Sequence, residues 1–306
     1  MLRSISVLAA SSVMFTLLTA CGGKDTPSGA PVPSGQGSPV SAVAKDDKLA
    51  AELPQEIVSA GKIRVGSNIQ NPPNNFYAAD GKTPIGSEVD VAKAVGRRLG
   101  VEIAYEDMAF GSLITGLQSG RIDMTMAAMN DTKERQKSID FVDYFTSGIT
   151  IMVQKGNPAG VKSPDDLCGK TVAVNSGSSQ ETYAKQLGAT CVQQGKGDVT
   201  VAATDSDTQN QSQLRTARVQ VILNDLPTAV YVAQTAGDGK YFEVVNLPPI
   251  NGGPYGIGVN KQNPKLTKAV QLALQSLVDD GTYAKILQSW NVSQGAIQKV
   301  TVNGGS

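Results

Sequence analysis

The chain of 306 residues carries 27 basic and 27 acidic side chains, is 40% hydrophobic and 18% charged, and has no histidine. Balanced charge excludes a polyelectrolyte partner such as nucleic acid or an anionic membrane surface, and the length suits two domains. Without histidine, Ser-His-Asp and Cys-His nucleophilic centres and most zinc sites are excluded, so no metal or cofactor is expected.

The sequence begins MLRSISVLAASSVMFTLLTACGG. Arg3 precedes an apolar run of 14 residues, Val7 to Ala20. A membrane span needs about 20, so residues 1–20 are expected to be a signal peptide. Leu18-Thr19-Ala20-Cys21 resembles a bacterial lipobox, which makes Cys21 the expected lipidation site and the anchor to the cell membrane. An ordinary signal peptide with an incidental cysteine is the alternative. Residues 21–54 open on a Gly-, Ser- and Pro-rich stretch without hydrophobic period and are expected to form a flexible tether. About 30 residues of random coil would reach roughly 30 Å. Export makes a disulfide the default for the two remaining cysteines, Cys168 and Cys191. The loop of 23 residues that it closes is worth roughly 3 kcal/mol on the chain-entropy estimate.

Strands and helices then alternate. Strands are predicted at 62–66, 101–105, 122–127, 149–153, 171–174, 219–223, 242–245 and 256–259. Helices are predicted at 89–99 and 112–118, after Ser178, around 209–216 and after Asp225. Leu266, Val270, Ala273, Leu274 and Leu277 share one helical face. After the break at Asp280-Gly281, Tyr283, Ile286, Leu287 and Trp290 form another, with Trp290 expected to pack in the core. This is an α/β pattern with parallel sheets and no internal repeat.

Seven segments, in order, then carry a resemblance: GKIRVGSN, DGKTPIGSEVDVAKAVGRRLG, LITGLQSGRIDMTMAAMNDTKERQKSIDFVDYF, DDLCGKTVAVNSGSSQE, LNDLPTAVY, YGIGVNK and DDGTYAKILQSW. Residues 55 to 295 resemble the amino-acid-binding family (family 3) of bacterial ABC-transporter extracellular substrate-binding proteins, of lipoprotein type. The resemblance implies a two-lobed periplasmic-binding-protein-like (type II) fold, two parallel-sheet lobes joined by a two-strand hinge. Lobe 1 would be residues 55–147 plus 253–306, lobe 2 residues 148–252, and the crossings would lie near 146–150 and 249–254, where TSG and INGG supply small residues. It further implies a monomer outside the cytoplasm that binds an amino acid between the lobes and delivers it to permease and ATPase subunits.

The family's carboxylate-binding arginine falls on Arg135, whose planar guanidinium matches a carboxylate bidentately. An exposed arginine paired with Glu134 or Asp131 is the alternative. Asn130 can add a side-chain N–H, Ala128 is counted with the ligand-binding positions, and Asp131 with Glu134 is expected to cap the helix carrying Arg135. Ser178 with Glu181 reads as a capping box, leaving the N–H groups of Ser179 and Gln180 open to an anion. Asp225 falls on the family's ammonium-binding aspartate, or else caps the helix that starts at Leu226-Pro227.

Specificity is expected to differ from that of aromatic-walled relatives. Asn71-Pro72-Pro73-Asn74 replaces an aromatic-Pro-Pro-aromatic run, Ser87 replaces an aromatic, and Asn68 occupies a slot that is acidic in binders of basic amino acids. Phe110 remains as a stacking platform, or as core. Amide walls disfavour an apolar side chain by leaving donors unpaired, which points to a glutamine- or asparagine-like ligand. Asn74 has a turn-capping alternative, and a ligand outside the proteinogenic set stays open. So do a periplasmic-type dehydratase of the same fold, with a glutamate as general acid, and a ligand-sensing lipoprotein.

Overall fold

The computed structural model describes residues 39–306. The signal peptide over 1–20, the lipidation site Cys21 and the tether up to residue 38 lie outside the described residues. The remainder of the expected tether, 39–54, is folded instead. A 3₁₀ turn at Pro39–Ala42 and helix α1 (Asp47–Ala50) pack Val40, Val43 and Leu53 into the first core, and the Asp46 carboxylate caps α1 through the N–H of Lys48 at 2.9 Å. Three apolar residues so widely spaced have no period, which is why this segment reads as linker.

From there the chain alternates α2 (Gln55–Ala60), β1 (Lys62–Ser67), the short pair β2 (Phe76–Tyr77) and β3 (Pro84–Ile85), α3 (Ser87–Leu99), β4 (Glu102–Asp107), α4 (Leu113–Gln118), β5 (Met124–Thr125) and the single turn α5 (Lys133–Gln136). The long strand β6 (Ile139–Gln154) crosses into a second half. There follow β7 (Thr171–Asn175), α6 (Ser179–Gln193), β8 (Thr200–Thr204), α7 (Asp207–Arg215), β9 (Val221–Asp225), α8 (Leu226–Thr235) and β10 (Phe242–Val244). Strand β11 (Ile250–Asn260) returns, and α9 (Pro264–Asp279) and α10 (Thr282–Ser289) complete the first half.

Nine strands form one curled sheet in the order β4-β1-β5-β11-β6-β9-β7-β8, with β10 added beside β6. In the first half β1 is parallel to β4 and β5; in the second β7 is parallel to β8 and β9. Every antiparallel pair in this sheet involves β6 or β11, which meet each other, β5, β9 and β10, so each half is a parallel sheet edged by a crossing strand. Helices on both faces give each half two apolar layers. Ile63, Val65, Val95 and Leu274 lie on one side of the first sheet and Leu113, Leu117 and Phe141 on the other. Val172, Val174 and Leu223 face Ala173, Ile222 and Phe242 in the same way across the second. This is the two-lobed α/β architecture of a type II binding fold.

The first part of β6 is missed by periodicity because Asp140 and Asp143 interrupt its apolar run. Both acids find partners far away in sequence: Lys261 Nζ lies 3.1 Å from Asp140, and Thr301 Oγ1 donates to Asp143 at 2.6 Å. Along β6 the apolar residues up to Phe145 belong to the first core and those from Ile149 to the second. Between them Ser147 and Thr146 pair with Gly253 and Pro254 of β11, beside a register shift. Trp290 packs against the first core, and its indole N–H donates to Asp90 at 2.8 Å.

Cys168 and Cys191 form the expected disulfide, with Cα atoms 5.6 Å apart, which ties the start of β7 to the end of α6. Replacing both by serine is expected to lower unfolding stability by roughly 3 kcal/mol. Urea unfolding of the oxidised wild type and the double variant measures it; coincident transitions would mean that local packing alone restrains this loop.

Candidate functional site

The pocket between the halves draws its first charge from the turn after β5. Thr132, not Asp131, caps α5: its hydroxyl accepts from the N–H of Arg135 at 3.3 Å. Asp131 is buried elsewhere, taking Gln136 Nε2 at 2.7 Å and the N–H of Gly305 at 2.8 Å, and Glu134 pairs with Lys137. The exposed salt bridge that sequence offers for Arg135 is therefore not formed. Its guanidinium lies 5.4 Å from the centre of the Phe110 ring, with Nη1 donating to the carbonyl of Asn130 at 2.9 Å and Nη2 to that of Gly177 at 3.1 Å. Burial pushes its pKa down to about 10, against the opposing pull of the Asp225 and Asp131 carboxylates. It remains a cation at neutral pH, engaged only by neutral carbonyls and a ring.

The second half supplies a helix end and a carboxylate. Ser178 Oγ caps α6 through the N–H of Glu181 at 3.1 Å. The return bond of the expected box lands one residue earlier, with Glu181 Oε2 accepting from the N–H of Gly177 at 2.7 Å. The N–H groups of Ser179 and Gln180, first in the helix, have no acceptor among the described residues. Asp225 ends β9 at the N-cap of α8, yet its side chain makes no capping bond. Its carboxylate is buried beside the Tyr255 hydroxyl and the Gln180 side chain, and no hydrogen bond of good geometry reaches Oδ1 among the described residues. Burial pushes the Asp225 pKa up to about 7; Tyr255, Gln180 and Arg135 pull it down and the charge of Glu88 pushes it further up.

The family model of bacterial extracellular solute-binding proteins, family 3, matches residues 63–293. The chain belongs to that family. The L-cystine-binding protein TcyJ of Escherichia coli strain K12 is 31% identical over 239 residues, covering 78% of this chain and 85% of that protein. The arginine-binding protein ArgT of Corynebacterium glutamicum is 26% identical over 257 residues, covering 84% and 83%. Among solved structures, an ancestral arginine-binding protein bound to glutamine is similar at TM-score 0.68 and 36% identity, over 76% of this chain and 98% of that one.

In this solute-binding protein, Asn71, Phe110, Ala128, Asn130, Ser178 and Asp225 line one pocket, and Arg135 stacks on its Phe110 wall. Ser179 meets the same rim, donating from Oγ to Asn130 Oδ1 at 2.7 Å. Two predicted residues do not join it. Asn68 donates to the carbonyl of Met108 at 3.2 Å and lies in a separate depression with Asp107 and Asp205. Asn74 is buried behind the wall with Ser87, whose hydroxyl donates to its Oδ1 at 3.4 Å.

Sequence reading missed Asn175, Asp207, Asn210 and Asn224, which line the pocket from the ends of β7 and β9 and the first turn of α7, beside Gln180 at the start of α6. Asp207 accepts from Asn224 at 3.0 Å and Gln211 at 2.7 Å, and burial pushes its pKa up to about 6. It also missed Glu88. That buried carboxylate accepts from the Tyr144 hydroxyl, from Asn75 Nδ2 at 2.5 Å and from the N–H of Ala128 at 2.8 Å, which holds Ala128 at φ +49° in the left-handed region. An acid at the start of α3 followed by the apolar positions Val89, Val91 and Ala92 is the one signal that the sequence offers.

Asp225 has a reference pKa of 3.8 and stands near 7 in the folded protein. A carboxyl raised on folding contributes stability fully present below the lower value and lost as pH climbs to the upper one. Between about pH 4 and pH 7 the ligand-free wild type is therefore expected to lose stability relative to Asp225→Asn. Asp207 and Asp143, both pushed up to about 6, slope the same way in both proteins and cancel in the difference. Parallel stability profiles from urea titrations across this range would mean that the empty site holds Asp225 ionised.

Proposed function

We propose that this protein captures a free α-amino acid with a polar, glutamine- or asparagine-like side chain outside the cytoplasm and delivers it to an ABC importer. The observation that carries the reading is the pairing of Arg135 from one half with Asp225 from the other. They carry opposite charge, Asp225 lining the pocket and Arg135 stacked on its Phe110 wall, and neither is ion-paired among the described residues. A carboxylate on the Arg135 fork and the free N–H groups of Ser179 and Gln180, with an ammonium on Asp225, would satisfy both at once. Asn71, Asn175, Asn210 and Asn224 then offer amide donors and acceptors to a polar side chain. Arginine and cystine, for which two of these relatives are named, and the glutamine bound by the ancestral protein all join an α-carboxylate and an α-ammonium to a polar extension.

Asp207 favours a second reading, an arginine-like ligand, because a buried carboxylate held only by neutral amides gains most from a cationic side chain. The dehydratase reading is weaker here: the buried glutamate nearest the pocket, Glu88, is occupied by Tyr144, Asn75 and Ala128. Attachment through lipid on Cys21 rests on the lipobox-like Leu18-Thr19-Ala20-Cys21 at the end of the apolar run, and among the described residues no helix is long and apolar enough to cross a membrane. The two halves are taken as the moving lobes, with 146–150 and 249–254 as the hinge.

Calorimetric titration of residues 39–306 with glutamine, asparagine, arginine, lysine and citrulline tests the reading. A ligand at 100 times its dissociation constant is expected to add about 2.7 kcal/mol of stability. Arg135→Ala is expected to cost about 2–5 kcal/mol of affinity, the usual loss when one partner of a buried charge pair is truncated. Affinity is expected to fall about tenfold per pH unit below pH 7, since an ammonium requires Asp225 ionised. Asp207→Asn separates the side-chain readings: it weakens arginine and spares glutamine if the guanidinium meets Asp207. No binding by any α-amino acid would overturn the assignment.

A further inference from the structure

The family match ends at residue 293, but the chain continues, and residues 301–306 turn back onto the segment that carries Arg135. The return is built from hydrogen bonds to two elements. On β6, the N–H of Asn303 donates to the carbonyl of Phe141 at 3.0 Å and the N–H of Asp143 to that of Thr301 at 2.9 Å. Asn303 Oδ1 accepts from the N–H of Phe141 at 2.9 Å, and Thr301 Oγ1 and the N–H of Gly304 donate to Asp143 Oδ2 at 2.6 and 3.0 Å. On the Arg135 turn, the N–H of Gly305 donates to Asp131 Oδ2 at 2.8 Å, its carbonyl accepts from Gln136 Nε2 at 3.3 Å, and an oxygen of Ser306 accepts from the N–H of Lys133 at 3.4 Å.

These contacts seize the turn on both sides of Arg135. Asp131 stands four residues before it and Gln136 one after, and the two are themselves joined at 2.7 Å. The fit is close: a Cβ on Gly305 would stand 2.0 Å from the carbonyl oxygen of Asp131, so only glycine passes there. The single turn α5 is too short to hold its own shape, since one helical turn fixes many dihedrals for few hydrogen bonds. Its order has to come from outside. On the other flank, the N–H of Asp131 donates to the carbonyl of Pro254 at 2.9 Å.

We propose that residues 301–306 are a strap that positions Arg135, so that this extension beyond the family match sets how firmly the pocket holds its anion. The inference rests on Arg135 as the carboxylate contact, and one arm of its test does not. Asp131, Gly305 and Gln136 act as positioning residues: they touch the turn, not the ligand.

Two variants test it, a chain ending at Val300 and the milder Gly305→Ala, each first shown to be folded by far-ultraviolet circular dichroism. The first readout is amide hydrogen exchange in the ligand-free protein. Exchange over residues 130–137 is expected to rise about tenfold while β1 and α3 keep their protection. The second is binding of glutamine and of arginine. Affinity is expected to fall about tenfold through faster release, and the truncation is expected to add nothing in an Arg135→Ala background. Unchanged exchange over 130–137 overturns the strap. Raised exchange with unchanged affinity overturns its positioning role, and so does an equal further loss in the Arg135→Ala background, since generic destabilisation would act in both. If neither amino acid binds the wild type, the proposed function fails while the exchange arm still decides the strap.

Discussion

Asp225 lines the pocket from one half of the chain and Arg135 stacks on its Phe110 wall from the other, and neither finds an ion partner among the described residues. Charge held in a poorly solvated site must be neutralised, paired or strained. Asp225 drifts toward neutrality near pH 7, whereas the guanidinium stays charged. The Arg135 side of the pocket thus keeps its charge while the Asp225 side is poised to lose its own, which favours arrival of a carboxylate at Arg135. An ammonium that follows restores the ionised form of Asp225. On the function proposed above, a zwitterion resolves both strains, and a ligand lacking either group leaves one of them.

That resolution requires both halves to meet, and beside the Phe76 and Tyr231 rings, 6.0 Å apart, the contacts between their rims are polar. Ser179 reaches Asn130, Arg135 reaches the carbonyl of Gly177, and Gln70 donates to the carbonyl of Asp205 at 2.6 Å while accepting from the N–H of Asp207 at 3.0 Å. Gly177, at φ +73°, lets the rims approach so closely that a Cβ there would stand 3.1 Å from Gly111 Cα. Each such hydrogen bond is worth only about 1 kcal/mol net, because the open state would make it with water. A set this small leaves room for a ligand's differential contacts to decide the equilibrium. The pairing of β6 with β11, shifted in register between Ile250 and Gly253, joins the two halves.

Much of this was legible in the sequence because the local signals are dense. The run from Met124 through Arg135 to Phe145 pairs a buried strand with a polar turn, and Ser178, Gly177 and Asp225 stand where helix starts follow strand ends. What stayed hidden was long-range. Asp143 reads as a surface acid until Thr301 and Gly304 close over it, and Asp131 reads as a helix cap until Gly305 takes its carboxylate. Asn74 looks like a wall residue because the replaced motif suggests it, but a turn that folds inward places it beside Ser87. Residues 39–54 carry too few apolar positions to announce that they are folded.

The limit of sequence reading falls at specificity. Asn68 was weighed because it fills a slot where an acid would select basic ligands, and its neutrality argued for an amide ligand. Yet the pocket regains a carboxylate from Asp207, which reaches it only because β9 and α7 end side by side and Asn224 bridges them. One slot's chemistry therefore does not fix the charge of a pocket that several strand ends share. With Arg135 and Asp225 assigned to the two ends of a zwitterion, Asp207 is the charge left over. Whether that residue is met by an amide or a guanidinium depends on its ionisation, and a carboxyl poised near pH 6 beside neutral amides can accept either. On the function proposed above, an ionised Asp207 favours a guanidinium and a protonated one an amide, so the shape of the wall is not the whole of ligand choice.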